Sequence, residues 1–123
     1  MYLEEYRKAR QQGLKETKRS QARGASPYLP VLDEILAAET TSGEVDLGLV
    51  EIPIELIVGT RSAGRSKAFS HSFLPLMDED SEFCHKWTTL CKAHMDEGIT
   101  DAIKVYEYMH TFYVVEGHKR VRV

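Results

Sequence analysis

Two neighbouring segments in the C-terminal part of this chain limit the folds that it can adopt. Ile103–Tyr108 and Phe112–Glu116 are rich in β-branched and aromatic residues, which predicts two β-strands. The two segments can pair as a hairpin through Met109–Thr111, although these residues carry no strong turn signal. The apolar positions of the two segments alternate, so we expect one face of this pair to be covered by a helix.

A longer helix is predicted before the two strands. Phe83, Trp87, Leu90, Cys91 and His94 recur at helical spacing. Asp78 or Asp80 can cap the start of this helix, and Gly98 suits the position that follows its last turn. We therefore expect a helix over Asp80–Glu97 that covers the sheet and buries Trp87 against it.

The segment before this helix adds a strand and a turn. Leu49–Ile52 favours a short strand that ends at Pro53, because proline has no N–H group to donate to a sheet. Ile54–Ile57 favours one helical turn. The order strand, loop, helix, strand, strand predicts an α+β domain over residues 45–123, with a small mixed sheet and a covering helix.

Residues 1–44 are predicted to form a helical N-terminal extension and a linker. Good helix formers fill residues 2–22, but the apolar stripe of this helix is thin. Since an isolated helix of this length is marginal in water, we expect it to dock on another element or on a second subunit. Val31–Ala38 favours a short second helix, and Thr40–Gly43 is typical of a linker.

Composition limits the class of protein. The chain has 123 residues, of which 42% are hydrophobic and 28% charged, as in ordinary globular domains. No apolar run approaches the ~20 residues that span a membrane, and charges begin at Glu4, so neither a transmembrane helix nor a secretory leader is predicted. Two cysteines do not make a disulfide framework, and we expect a cytoplasmic protein.

Charge is distributed unevenly along the chain. Residues 1–23 carry seven basic and three acidic side chains, a net charge of +4, whereas the remaining residues carry nine basic and sixteen acidic ones, a net charge of −7. A basic arm of this kind can be a solvated helix face, which is the commonest case. It can also bind nucleic acid, or pair with the acidic surface of a second subunit in a homodimer.

Two further patterns bring functional residue types close together. Gly59–Ser66 has the spacing G-x-x-x-x-G-R-S, which differs from a P-loop by Arg65 in the lysine position. No strongly apolar helix follows directly, which argues against a P-loop, but Arg61 and Arg65 can join a phosphate site built elsewhere.

The second pattern is Cys84, Cys91 and His94 on one helical face, of which Cys91 and His94 have a spacing that suits two metal ligands. Core packing is favoured, because free cysteine behaves as a small buried hydrophobe. The acidic run Asp78–Asp80 can attract a cation, but helix capping explains it without one.

The stretch Phe112–Arg122 is the strongest candidate for a functional site. An apolar strand runs into Gly117, and Lys119, Arg120 and Arg122 follow at once. A glycine turn lets the backbone approach an anion, while arginine offers a planar fork of donors that matches phosphate oxygens. The pattern predicts a phosphate site, and the alternative is a solvated basic tail.

From Leu49 to Arg122 the segments resemble, in order, the ParB N-terminal and sulfiredoxin-like superfamily. Ile52–Ile57 is similar to the opening strand and turn of that family, and Gly64–Arg65 lies near the arginine of its first box. The most specific part is Gly117–Arg122, G-H-K-R-V-R, which is similar to the second box, G-E-R-R-x-R.

The resemblance implies nucleotide binding rather than sulfinic acid repair. ParB proteins bind a cytidine triphosphate with this box and with motifs in later helices. Sulfiredoxins have a cysteine directly after the glycine, where this chain has His118. The helix-turn-helix of ParB is absent, and its next helix would begin beyond Val123, so a longer protein or a second chain is expected to complete the pocket.

We therefore predict a ParB-like regulatory domain that binds a phosphate-bearing ligand, in the first place a nucleoside triphosphate with magnesium. The predicted ligand-binding residues are Arg65, Glu116, Gly117, His118, Lys119, Arg120 and Arg122, with Arg120 as the main phosphate clamp. One alternative is a domain of nucleic-acid-binding or nuclease type, which fits the basic arm. Another is an interaction module without a ligand. No catalytic residue is predicted.

Overall fold

A computed structural model describes residues 2–36, 45–98 and 101–121 and shows an α+β fold. Its helices and strands are α1 (Leu3–Ala22), α2 (Leu32–Leu36), β1 (Ile57–Thr60), α3 (Glu82–Glu97), β2 (Lys104–Tyr108) and β3 (Thr111–Glu116). Three short 3-10 helices, Ile54–Leu56, Ala63–Ala68 and His118–Val121, lie between or after them. The helices predicted over 2–22 and Val31–Ala38 are confirmed, although Ala37 and Ala38, like the linker Thr40–Gly43, lie outside the described residues.

The three strands form one mixed sheet in the order β1-β3-β2. Thr60 of β1 pairs in parallel with Val114 of β3, and Tyr106 of β2 pairs antiparallel with Tyr113 of β3. Because β3 is the central strand, Phe112–Val114 is buried. The predicted small mixed sheet and the predicted pairing of the last two segments are confirmed.

The hairpin turn is made without glycine. Met109 and His110 have φ angles of 52° and 67°, so both lie in the left-handed region. A two-residue hairpin turn of type I′ needs positive φ at both central positions. The twist of the strands therefore favours this backbone at two residues other than glycine, of which histidine adopts it more readily than most side chains do.

The first strand lies later in the chain than predicted. Residues 49–52 form no strand, and Leu49 and Val50 are exposed. The strand is Ile57–Thr60, which has β3 on one side and accepts a neighbouring segment on the other, since the Thr60 N–H donates to the Pro30 carbonyl at 2.9 Å. The helical turn predicted over Ile54–Ile57 is confirmed as the 3-10 helix Ile54–Leu56.

Helix α3 begins with a serine cap rather than an aspartate cap. Ser81 Oγ accepts a hydrogen bond from the Cys84 N–H at 3.1 Å, so the prediction of Asp78 or Asp80 as the cap is wrong. Gly98 ends the helix as predicted, with a φ of 81° and an N–H bond to the His94 carbonyl. Asp78 is available for another contact because the serine fills the capping position.

Helix α1 packs on α3 and builds the first of two apolar clusters. This α1–α3 cluster contains the buried residues Tyr6, Cys84, Trp87 and Cys91. The Tyr6 ring meets the Trp87 ring edge-on, with 5.3 Å between centroids. Trp87 is buried as predicted, at 4% exposure, but it packs on α1 and not on the sheet.

The second cluster lies under the sheet and contains Leu29, Phe69, Phe73 and Val114. Phe83 of α3 joins the two clusters, because its ring contacts the Tyr6 ring at 6.4 Å and the Phe69 ring at 5.2 Å between centroids. Phe83 of α3 therefore packs on the cluster under the sheet, while Cys84, Trp87 and Cys91 of the same helix pack on α1.

Part of the positive charge of α1 is neutralised within the chain. Arg7 forms an ion pair with Glu79, and Arg10 Nη2 lies 3.2 Å from Asp78 Oδ1. The acidic run before α3 thus binds the arm of its own chain. The charge complementarity that motivated a homodimer is partly used inside the molecule, and the homodimer itself stays a prediction.

No helix in residues 2–36, 45–98 or 101–121 has both the length and the apolar character that a membrane crossing requires.

Candidate functional site

One open cleft, of about 330 Å³, collects most of the predicted site residues. It is lined by Arg65, Lys86, Leu90, Val115, Glu116, Gly117, His118, Lys119 and Arg120. The lining comes from the 3-10 helix Ala63–Ala68, from α3, and from the passage out of β3 into the last 3-10 helix. Six of the seven predicted residues therefore share one concave surface, and the seventh, Arg122, lies outside the described residues.

Gly117 makes the turn that was predicted for it. Its φ angle is 95°, and a Cβ atom at this position would lie 2.7 Å from Cγ2 of Ile103. A side chain here would strain the backbone and strike a neighbouring side chain at once. The turn then starts the 3-10 helix, with the Arg120 N–H donating to the Gly117 carbonyl at 2.9 Å.

His118 is held as part of the protein core. It is 7% exposed, and its Nε2 lies 2.8 Å from Thr60 Oγ1. Its ring stacks on Phe69, with 5.9 Å between centroids. Thr60 Oγ1 also lies 3.3 Å from the carbonyls of Ser62 and Val114, so its single proton is best used on a carbonyl and we assign the Nε2–H tautomer.

The protonation state of His118 follows from its surroundings. Burial, then the positive charges of Arg65 and Lys119, lower its pKa from 6.5 to about 4. All three influences disfavour the charged imidazolium. The sequence left open whether this residue is neutral or charged, and the structure makes it a neutral side chain at pH 7.

Lys119 carries its ammonium group on an aromatic surface. Nζ lies 4.5 Å from the centroid of the Phe83 ring. Burial, then Arg65 and Lys86, lower its pKa, and the carboxylate of Glu82 opposes them only in part. In the described part of the chain no carboxylate lies within ion-pair distance of Lys119.

The two other cations beside Lys119 differ in how they are paired. Arg65 is exposed, and it makes no ion pair or side-chain hydrogen bond with any residue that the structure describes. Lys86 forms an ion pair with Glu82 at 3.1 Å, one helical turn away. The guanidinium of Arg65 is therefore the more available donor for an anion in the cleft.

Arg120 lines the cleft but also has a structural contact. Its Nη1 donates to the carbonyls of Asp101 and Ala102 at 3.3 and 3.2 Å, which fixes the approach to β2. Part of its donor fork is therefore used within the protein. Glu116, at the end of β3, is exposed at the rim of the cleft.

Sequence reasoning missed Lys86 and Leu90, which both come from α3. They follow Phe83 at spacings of three and seven residues, so one helical face carries all three. That periodicity was visible in the sequence. The approach of this face to the last 3-10 helix was not, because it depends on contacts between distant segments.

The glycine-rich loop does not form a P-loop. Gly59 and Thr60 belong to β1, and the 3-10 helix Ala63–Ala68 follows where a P-loop would open an α-helix. A Cβ atom at Gly59 would lie 2.4 Å from the Pro30 carbonyl oxygen, so this glycine serves the packing of the chain. Arg65 is the residue of this loop that reaches the cleft.

The cysteines are core residues as favoured from the sequence. Cys84 and Cys91 are buried against α1, where burial raises the pKa of both thiols, whereas His94 is exposed. Within the described ranges, no three His, Cys, Asp or Glu side chains converge in a way that would hold a metal ion.

Comparison with known proteins finds no match to this chain among protein-family models, curated proteins or solved structures. The membership of the ParB and sulfiredoxin-like superfamily therefore stays a prediction.

Proposed function

We propose that this chain is a ParB-like regulatory domain that binds a phosphate-bearing ligand, a nucleotide in the first place, in the cleft between α3 and the last 3-10 helix. The observation that carries the proposal is the approach of Arg65 and Lys119 to one another. They come from distant parts of the chain, both line the cleft, and neither has a carboxylate partner among the described residues.

Like charges held around a concave surface repel one another, and after burial, which is the larger cause, the charges of Arg65 and Lys86 lower the pKa of Lys119. An anion placed among them removes the repulsion and gains charge-assisted hydrogen bonds. The guanidinium of Arg65 can bind two phosphate oxygens at once, and Lys119 supplies a point charge. A ligand with a phosphate group fits this chemistry better than a neutral ligand.

The rest of the lining suits the other parts of a nucleotide. Leu90 and Val115 offer apolar surface for a base or a sugar. Glu116 offers a carboxylate to a magnesium ion carried by the phosphates. His118 supports the cleft from within rather than acting as a nucleophile, because its ring is neutral and bonded to Thr60.

Isothermal titration of nucleoside triphosphates with magnesium into wild type and Arg65→Ala tests the proposal. We expect the substitution to weaken binding by about 1.5–3 kcal/mol, roughly ten- to a hundredfold, because hydrogen bonds to a charged group are lost. Arg19→Ala, an exposed arginine on α1, is the matched control and should bind as wild type does. Equal affinity in Arg65→Ala and wild type, or no binding to either, would refute the proposal.

A second candidate, nucleic-acid binding, is favoured by the remaining charge of α1. Lys8, Lys15, Lys18, Arg19 and Arg23 are exposed, and none forms an ion pair within the described ranges. Binding through these residues should weaken steeply with salt, because counterions are released from the nucleic acid. Loss of oligonucleotide binding in Lys15→Ala/Arg19→Ala, with unchanged nucleotide binding, would assign that activity to α1.

A further inference from the structure

Lys119, in the last 3-10 helix, differs from the two lysines of α3, Lys86 and Lys92, in the contacts that its amine makes. Lys86 is paired with Glu82 at 3.1 Å, and Lys92 is paired with Asp96 at 2.6 Å. Lys119 lies over the Phe83 ring inside a cleft that it shares with Arg65. It is therefore a primary amine beside a second cation, on an apolar surface, with no carboxylate partner in the described part of the chain.

Such surroundings favour nucleophilic lysines. An ammonium group that is partly desolvated and close to other cations loses its proton more readily, and the free amine is the nucleophile. The pKa of Lys119 is lowered by burial, by Arg65 and by Lys86, whereas that of Lys92 is raised by its bond to Asp96. Each unit by which the pKa falls increases the amine fraction about tenfold at neutral pH.

We propose that Lys119 is a self-acylation site whose acyl donor is an acyl phosphate, and that acylation lowers the affinity of the cleft for phosphate-bearing ligands. The proposal rests on the proposed function, since the phosphate group of the donor is expected to bind beside Arg65. An acyl phosphate combines in one molecule the anion that this cleft attracts and a carbonyl carbon that an amine can attack.

The reaction balances without a further reactant. The lone pair of the Lys119 amine attacks the carbonyl carbon, and a C–N bond forms. The bond from that carbon to the phosphate oxygen breaks, and inorganic phosphate leaves with the electron pair. The nitrogen loses one proton to solvent. The products are an amide on Lys119 and free phosphate, with no change in oxidation state.

The consequence for the cleft is a change of charge. An amide on Lys119 carries no positive charge and no ammonium donor, so one of the cations that attract phosphate is lost. The contact with the Phe83 ring also loses its cation. The acylated protein should therefore bind nucleotides more weakly, which makes the site responsive to the supply of acyl phosphates.

Acetyl phosphate is the probe, and mass spectrometry of peptides gives the initial rate of acetylation at Lys119, Lys86 and Lys92 in the full chain. We expect Lys119 to react several-fold faster than Lys92. Arg65→Gln should slow acetylation of Lys119 and leave Lys92 unchanged, and Arg65→Lys should restore part of the rate. Bound nucleotide should protect Lys119 alone.

Acetic anhydride, which delivers the same acyl group without phosphate, separates reactivity from recognition. The preference for Lys119 over Lys92 should be larger with acetyl phosphate than with the anhydride. Equal rates at the three lysines, the same preference with both reagents, or no effect of Arg65→Gln would overturn the proposal.

Two substitutions test the regulatory part without any acyl donor. Lys119→Gln should weaken nucleotide binding in calorimetry, and Lys119→Arg should retain it. If nucleotides bind in an Arg65-dependent manner but Lys119 is acetylated no faster than Lys92, only the acylation proposal fails. If neither nucleotides nor inorganic phosphate bind and acetylation is uniform, the proposed function fails with it.

Discussion

Basic side chains lie on two sides of helix α3, and they differ in whether they form ion pairs. Towards α1, Arg7 and Arg10 each meet a carboxylate, Glu79 and Asp78. Towards the cleft, Lys119 and Arg65 have no carboxylate within ion-pair distance in the described part of the chain. The first arrangement joins two segments of the protein, and the second leaves charge available to a ligand.

The comparison shows that an excess of basic residues does not by itself locate a functional site. The N-terminal 23 residues have the higher density of positive charge, yet the arginines nearest to α3 are used in internal ion pairs. The cleft has fewer cations, but they lie around a concave surface, where burial and then Arg65 and Lys86 lower the pKa of Lys119. The two regions differ in whether their cations form ion pairs, more than in how many cations they contain.

The largest expected effect comes from the α1 side. Trp87→Ala removes a side chain that is 4% exposed and packs against Tyr6, so we expect the free energy of unfolding to fall by about 3–5 kcal/mol. Urea unfolding monitored by circular dichroism measures it. A second substitution in the same cluster, Cys91→Ser, should destabilise less. A loss below about 1 kcal/mol for Trp87→Ala would show that α1 does not depend on this cluster.

The next effect comes from the cleft side and depends on pH. The pKa of His118 is about 4 in the folded protein and close to 6.5 when unfolded. Between these values the unfolded chain binds a proton that the folded protein does not, so stability falls as pH decreases from 6.5 towards 4. The slope due to this residue is at most about 1.4 kcal/mol per pH unit.

His118→Gln isolates this contribution, because an amide can still donate to Thr60 and does not titrate. The free energy of unfolding of the variant should depend less on pH than that of wild type between pH 6.5 and 4. Parallel pH profiles for the two proteins would mean that His118 is not held neutral.

The smallest expected effects are changes in the free energy of unfolding that have opposite signs on the two sides of α3. Asp78→Asn removes the carboxylate that Arg10 meets, and an exposed pair of this kind contributes at most about 1 kcal/mol, so stability should fall slightly. Arg65→Gln removes an unpaired charge from a group of cations and should leave stability unchanged or raise it slightly. Chemical denaturation in urea at low and high salt measures both, and a similar loss in the two variants would remove the distinction.

Much of the fold could be predicted because its signals are local. The period of α3, its end at Gly98 and the two segments of the hairpin are all visible in short windows of sequence. The first strand was misplaced because Leu49–Ile52 has the composition of a strand but no partner strand, whereas Ile57–Thr60 has both β3 and Pro30 beside it. A strand needs a neighbour, and a local pattern does not provide one.

The candidate site shows the same contrast between local signals, which can be predicted, and contacts between distant segments, which cannot. Gly117 was identified correctly as a turn because a glycine directly after an apolar strand is a local signal for a change of chain direction. Periodicity showed that Trp87 is buried, but not that its partner is Tyr6, which lies in a distant segment. Lys86 was missed because its place in the cleft depends on how α3 meets the last 3-10 helix.

The parallel pairing of β1 with β3 has a consequence for synthesis on the ribosome. Thr60 and Val114, which face each other in the sheet, are separated by 54 residues, so β1 is made long before the strand that it pairs with. Helix α1 is likewise made before α3, the helix on which it packs. Both early segments emerge with apolar side chains that have no partner yet, and β1 can join the sheet only after β3 has been made. The nascent chain is thus open to aggregation or to chaperone binding at α1 until α3 is made, and at β1 until the central strand β3 is made.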